Sequence, residues 1–309
     1  MKIETIVVGV DFSDEAEAAV KQALELARHV GGKLTLLHVG VIPETPTGVP
    51  ESMSSTATAY SRVVKERLEE DRDELEKLRG RISGQGVDVS HAVMDGFPDT
   101  GLVEAAKELG ADVIVVGTHG RTGIKRFLLG SVAERVVRLS DSSVLVARSK
   151  SSSSGGYKKV LVPTDFSDTS LRAISAATQL VAKDGEVHLL NCWQLPPMSG
   201  AYYAPVKAAD DLFREVRETL AATASSKLDK LVEEYGKDVN MTASELEGAA
   251  AHAIQEWIQE NEPDLVVTGS HGRRGVRRFL LGSVAEMTVR HSPCSVLVVH
   301  SPVEEGEAS

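Results

Sequence analysis

The chain has 309 residues, 42% of them hydrophobic, with 34 Lys and Arg against 45 Asp and Glu for a formal net charge of −11. That length suggests about two domains with ample apolar material for buried cores, and the acidic balance argues against a general affinity for nucleic acid or an anionic membrane. No apolar run is long enough to span a bilayer, and Met1-Lys2-Ile3 leads into a strand pattern and not a signal peptide, so a soluble, cytoplasmic protein is expected.

The first half opens with Thr5-Ile-Val-Val-Gly-Val10, a buried strand, followed by Asp11-Phe-Ser-Asp14 and an amphipathic run from Glu15 to His29. Ser13 or Asp14 can cap that helix, and Gly31-Gly32 ends it. Lys33 to Val39 is a second strand, and a β-α-β unit of this length implies parallel strands with a right-handed crossover. Val41 to Ser61, rich in Pro, Ser and Thr, reads as a loop. Arg62 to Arg79 has helical spacing of Val63, Val64, Leu68, Leu75 and Leu78, and its charges read as a solvated face. Val87 to Val93 is a third strand, and a helix follows Asp95-Gly-Phe-Pro98 through Leu109. Asp112 to Val116 is an apolar, β-branched run of the kind buried on both faces. A glycine-rich loop, a helix and the strand Ser143-Val-Leu-Val-Ala147 complete one unit, residues 1–149.

Residues 150–156, Lys-Ser-Ser-Ser-Ser-Gly-Gly, form a linker by composition. The order then repeats through 157–301. It runs from Val160-Leu-Val-Pro-Thr-Asp165-Phe-Ser-Asp168 and a helix to a strand at Glu186–Leu190 and an irregular Pro-rich stretch. A long charged helix, a shorter helix from Ala251, the run Asp264 to Thr268, a second glycine loop and Ser295-Val-Leu-Val-Val299 follow. Residues 302–309 are an acidic tail read as disordered. The only cysteines, Cys192 and Cys294, lie in strand-like contexts and read as small buried hydrophobes, with no disulfide or metal framework.

The repeat is sharpest at the glycine loops. Gly117 to Arg138 and Gly269 to Arg290 share sixteen of twenty-two positions, so the chain is a duplication. Each copy reads Gly-x-x-Gly, nine residues, then Gly-Ser and a helix: Gly117, Gly120, Gly130-Ser131 and Gly269, Gly272, Gly282-Ser283. Glycines let the backbone approach a ligand, and the unpaired N–H groups of a helix's first turn face an anion with the positive end of the dipole. Ser131 and Ser283 can cap those helices or donate to a phosphate oxygen. The pattern is neither the P-loop nor the dinucleotide fingerprint. Asp11 and Asp165 each follow a buried strand, where a carboxylate can accept from ribose hydroxyls, hold a hydrated Mg²⁺, or simply cap a helix. Arg121, Lys125, Arg126 and Arg273, Arg274, Arg277, Arg278 fall in the nine-residue spacers, within which some can reach phosphates. His119 and His271 have no nucleophile or carboxylate at triad spacing, which favours hydrogen-bonded structural histidines and gives no catalytic residue.

Two units that open V-x-x-D-F-S-D and close with G-x2-G-x9-G-S before an S-V-L-V strand resemble the universal stress protein family in tandem form, over almost the whole chain. The resemblance implies an α/β fold: two doubly wound, open five-stranded parallel-sheet domains, Rossmann-like, packed as a pseudo-dimer. It also implies adenine nucleotide, ATP with or without Mg²⁺, bound at the carboxyl ends of the strands. Carried over, the first domain would use Gly9, Asp11, Val39, Gly117, Thr118, His119, Gly120, Arg121, Gly123, Gly130, Ser131 and Val132. The second would use Pro163, Asp165, Cys192, Gly269, Ser270, His271, Gly272, Arg273, Gly275, Gly282, Ser283 and Val284. Gly9-Val10-Asp11 stands against Pro163-Thr164-Asp165, and Gly96-Phe-Pro98 against Gly248-Ala-Ala250, so the two sites are expected to differ. Family members pair through their last strands, which here would join Ser143–Ala147 to Ser295–Val299; association of two such chains into a homodimer is compatible with this. The function expected first is an ATP-binding, nucleotide-dependent stress-response or signalling module. A slow ATPase or phosphotransferase comes second, and a nucleotide-free dimerisation or interaction module third.

Overall fold

The computed structural model describes residues 2–40, 54–120, 129–149, 155–195, 206–272 and 281–301. The chain divides into two compact units at Ser149/Lys150. In the first, β1 (Thr5–Gly9), α1 (Asp14–Val30), β2 (Lys33–Gly40), α2 (Ser54–Ile82), β3 (Asp88–Asp95), α3 (Pro98–Glu108), β4 (Val113–Gly117), α4 (Ser131–Leu139) and β5 (Ser143–Ala147) follow in order. The second repeats it with β6 (Tyr157–Pro163), α5 (Asp168–Leu180), β7 (Val181–Trp193), α6 (Val206–Tyr235), β8 (Asn240–Glu247), α7 (Ala250–Asn261), β9 (Leu265–Gly269), α8 (Ser283–His291) and β10 (Ser295–Val299).

Every strand pair within a unit is parallel. The first sheet runs β3-β2-β1-β4-β5 and the second β8-β7-β6-β9-β10. The chain moves outward from β1 to β3 and then crosses back to β4 and β5. Right-handed crossovers taken in opposite directions put their helices on opposite faces, so α1 and α2 cover one face and α3 and α4, packed on each other, the other. The apolar runs read from the sequence are the central strands, in which Ile6, Leu34, Leu36 and Ile114 are fully buried.

Local signals explain the elements. Ser13 Oγ accepts from the Ala16 N–H and caps α1, acidic residues fill its first turn, Arg28 and His29 its last, and Gly31 at φ 71° closes it. Asp112 precedes β4 instead of opening it, and its carboxylate accepts from the N–H groups of Glu4 and Thr5 at 2.8 and 2.9 Å. Asp264 does the same for Lys158 and Lys159 at 3.0 Å. One carboxylate thus joins the feet of the two central strands of each sheet.

Two readings are corrected. The helix expected from Arg62 begins at Ser54, because the polar residues before Arg62 carry no helix breaker; residues 41–53 of the expected loop lie outside the described residues. β7 begins at Val181, directly after α5, because Val181 pairs with Tyr157 across an irregularity in the ladder. The fifth strand that the resemblance implies for the second domain, which the residue pattern does not place, is β8, whose Asn-Met-Thr-Ala-Ser-Glu-Leu-Glu sequence is only half buried at the sheet edge and lacks an aliphatic run. The Pro-rich stretch at 196–205, residues 150–154 of the linker and the tail 302–309 lie outside the described residues. No helix among the described residues is long and apolar enough to cross a membrane.

Candidate functional site

The chain reverses its direction of travel between β1 and β4, so the segments leaving these neighbouring strands diverge to opposite faces and leave a crevice at their carboxyl ends. Val10 N–H donates to the Leu37 carbonyl at 2.8 Å, which ends the β1 ladder. The next three residues form a tight turn: Asp11 Oδ1 accepts from both the N–H and the hydroxyl of Ser13, at 3.1 and 2.5 Å. Between them Phe12 adopts φ 60°, a left-handed conformation a bulky residue seldom takes. The second domain builds the same turn from Asp165, Phe166 at φ 64° and Ser167. In both domains the serine is the helix cap, which leaves the aspartate free of that task.

On the β4 side three glycines permit close approaches. A Cβ on Gly117 would lie 3.0 Å from the Glu15 carbonyl oxygen in α1. Gly120 faces Asp11. Gly130 donates to the Thr118 carbonyl at 2.7 Å, and a Cβ there would lie 3.0 Å from that same oxygen. The two ends of the glycine loop are therefore tied together by one short backbone bond. His119 Nδ1 sits 3.1 Å from Thr118 Oγ1, while its buried Nε2 has no hydrogen-bond partner among the described residues. His271 repeats this against Ser270 at 3.1 Å.

α4 then starts at Ser131 with Gly130 as its cap residue and no side-chain cap bond, and α8 does so at Ser283 after Gly282. Ser131 and Ser283 are thus first-turn residues, not caps. α1's first turn is capped by Ser13 and lined with acids, whereas α4 has no side-chain cap bond and its first-turn residues Ser131, Val132 and Ala133 line the crevice.

These pieces enclose a cavity of about 220 Å³ in the first domain, several times the ~30 Å³ share of one water. Gly9, Asp11, Val39, Gly117, Thr118, His119, Gly120, Gly130, Ser131 and Val132, all expected at the site from the sequence, line it together. Arg121 and Gly123, with Lys125 and Arg126, lie outside the described residues. Of the apolar wall, Leu37, Val116, Pro98 and Leu102, the sequence reading named Pro98 only as a difference between the domains and did not single out the other three. Each looks like ordinary core; only the strand order, which sets the end of β2 beside β1 and brings α3 over it, could have pointed to them. The cavity accordingly has an apolar end at β2 and α3 and a polar end at the glycine loop and α4.

In the second domain Pro163, Asp165, Cys192, Gly269, Ser270, His271, Gly272, Gly282, Ser283 and Val284 hold the matching strand and helix ends. Arg273 and Gly275, with Arg274, Arg277 and Arg278, lie outside the described residues. Two differences have physical causes. β1 and β4 pair at three positions, ending Val8 with Val115, but β6 and β9 pair only at Val160 with Leu265 and Leu161 with Val266. Val10 donates to Leu37 of β2 and Thr164 to Leu190 of β7, so the residue before each faces β4 or β9. Gly9 has an N–H to offer there and Pro163 has none. Cys192 stands where Val39 lines the first cavity, and burial pushes its thiol up to about 11.

A model of the universal stress protein family matches residues 2–148 and again 156–300. A universal stress protein of Methanocaldococcus jannaschii is 36% identical over 150 residues, covering 48% of this chain and 85% of its own. One of Mycolicibacterium smegmatis is 28% identical over 306 residues, 95% of this chain and 96% of its own. The crystal structure of a universal stress protein from Archaeoglobus fulgidus superposes with a TM-score of 0.65 at 22% identity, covering 97% of this chain and 99% of that one, a likeness of fold.

Proposed function

Because this chain belongs to the universal stress protein family, with a domain of that family in each half, we propose that it is a nucleotide-dependent stress-response module that binds ATP at the carboxyl ends of its strands. The observation that carries the reading is the first domain's cavity, in which an uncapped helix N-terminus and glycine backbone form one end and an apolar wall the other. Backbone donors and a helix dipole suit a polyphosphate, and Leu37, Val39, Pro98 and Leu102 suit a flat, largely apolar base. Asp11, held by Ser13, stands between the two ends, where it would accept from ribose hydroxyls or from water on a Mg²⁺ that accompanies the phosphates. The second domain would offer a similar but not identical site. We further propose that β5 and β10, each the last strand of its own sheet, pair the two domains; charges at Leu145 and Leu297 would then expand the particle in small-angle scattering, and an unchanged profile would overturn the pairing.

The test of nucleotide binding is denaturation of the purified protein with chromatography of what it releases, followed by ATP titration calorimetry of emptied wild type, Gly130→Glu and Gly282→Glu. Binding lost one site at a time supports the reading. No released nucleotide and no heat with Mg²⁺ present would overturn it and leave both motifs as strand-to-helix turns.

A further inference from the structure

Behind the Asp11 turn, on the face covered by α2, a histidine is buried between strand and helix. His38 is 6% exposed, and its Nδ1 lies 2.6 Å from the carbonyl oxygen of Val10, the residue before Asp11. Its Nε2 faces Asp71 Oδ2 at 3.4 Å, and Asp71, 4% exposed on α2, meets Arg67 Nη2 through its other oxygen at 3.2 Å. The ring also packs against Phe12, 4.8 Å between centroids, so the residue in left-handed conformation is held through its side chain while the carbonyl two positions earlier is held through its oxygen. A turn in an unfavourable conformation persists only where its surroundings over-determine it.

The second domain separates what the turn needs from what is peculiar to the first. Asn191 takes the place of His38, and its Nδ2 donates to the Thr164 carbonyl at 2.7 Å, again the residue before the site aspartate. Buried Leu228 and Leu231 on α6 match Leu75 and Leu78 on α2, which sets Ala224 where Asp71 stands. Both domains therefore keep a buried side-chain donor to that carbonyl, and the first adds an imidazole–carboxylate link to the helix behind it. We propose that His38 is the positioning residue of the first domain's site turn, holding Asp11 through the Val10 carbonyl, and that its contact with Asp71 makes α2 a lever on that site. Nucleotide that settles against Asp11 tightens the turn, and the buried pair carries the tightening into α2; in the reverse direction, whatever displaces α2 loosens the grip on Asp11. This rests on the nucleotide reading above.

The test uses the full chain with the second site silenced by Gly282→Glu. Asp71→Ala is combined with His38→Asn, which reproduces the second domain's pair, and with His38→Leu, which fills the space without a donor, so no stray carboxylate remains in either. ATP affinity of the Asn variant stays within about threefold of wild type and that of the Leu variant falls about tenfold, the scale of one lost buried hydrogen bond. Nucleotide slows amide exchange in α2 from 71 to 78 in wild type and not in the Asn–Ala variant, which still binds. Equal affinities for the Leu and Asn variants would overturn the positioning role, and persistent slowing in the Asn–Ala variant would overturn the lever. If wild type binds no nucleotide, the functional reading fails by itself; exchange at residues 11–16, measured without ligand, still tests the pin, since it must rise in the Leu variant and not in the Asn variant.

Discussion

The carboxylate of Asp11 rests against the backbone of Gly120: a Cβ built on Gly120 would lie 2.6 Å from Asp11 Oδ2, and Gly272 stands in the same relation to Asp165, also at 2.6 Å. Neither glycine is needed for a left-handed φ; both are needed for room. The second glycine of the first strand's partner loop and the aspartate after that strand, more than a hundred residues apart in the chain, thus form one wall of the site.

Gly120→Ala tests that wall. The nearest atom is the end of a side chain and not backbone, so the methyl displaces the Asp11 carboxylate and the fold survives, with a stability change within about 1 kcal/mol. ATP affinity at the first site falls while the second is untouched. Calorimetry that finds both sites unchanged would remove Asp11 from the binding surface.

Ser131→Asp separates helix stability from binding by sign. An acid in the first turn of α4 complements the dipole and adds about 0.3–1 kcal/mol. The same charge occupies the donors proposed for phosphate and repels it. A slightly higher melting temperature with ATP affinity lowered at least tenfold is expected. Affinity equal to wild type would place the phosphates elsewhere.

The limits of the sequence are physical. The glycines and Asp11 could be read because a close backbone approach needs a particular residue type at a particular spacing, and the duplication printed that spacing twice. β8 could not, because a half-exposed edge strand needs no aliphatic run. Leu37 and Leu102 could not, because an apolar cavity wall and an apolar core use the same residues. His38 and Asp71 are 33 positions apart, one in a strand and one in a charged helix, and nothing local marks either as the other's partner. The start of α2 at Ser54 was hidden by composition, since Ser, Thr and Ala before Arg62 suit a loop or a helix end alike.

His188 makes the second domain sensitive to acid. Its ring stacks on Trp257 at 4.7 Å, with Thr242 and Ser244 hydroxyls at its two nitrogens, 2.9 and 2.8 Å away. Burial lowers its pKa below the usual 6.5, against an opposing pull from Glu186. The unfolded chain therefore takes up the proton first as pH falls. The stability that the neutral ring contributes is complete above the ordinary value and is lost as pH drops toward the folded-state value. Melting followed from pH 8 to pH 5.5 falls more steeply in wild type than in His188→Gln. Parallel curves would contradict this.

Cys192 is predicted to be unreactive although it is only half buried. Burial holds its thiol at about 11 against a usual 9.0, and the thiolate is the reacting species, so alkylation at pH 8 proceeds about 100-fold more slowly than in the unfolded chain. Mass spectrometry after timed iodoacetamide treatment reads the rate. Modification as fast as in denatured protein would mean that the end of β7 opens readily.

Val39 in the wall of the first domain's cavity meets Gly101 of α3, a contact that the second domain builds differently. A Cβ on Gly101 of α3 would lie 2.9 Å from Val39 Cγ1 and 3.3 Å from its Cγ2. The second domain has Ala253 and Cys192 at these positions, each placed by counting from Gly248 and from Leu190, which accepts the Thr164 N–H as Leu37 accepts that of Val10. The first domain thus spends its side-chain volume on the strand and the second on the helix. Gly101→Ala alone gains about 1 kcal/mol of helix propensity and loses about 1–3 kcal/mol to overpacking against a β-branched neighbour. Val39→Cys alone loses roughly 1 kcal/mol of buried contact. Together the clash disappears, so the pair restores nearly wild-type stability, and the interaction energy in a double-mutant cycle measured without ligand is about 1–3 kcal/mol in favour of the pair. Additivity to within about 0.5 kcal/mol would show that the two positions do not touch. Coupling of the expected sign shows that the wall was exchanged as a unit, so grafting a single residue between the domains distorts a cavity that grafting both would carry over intact.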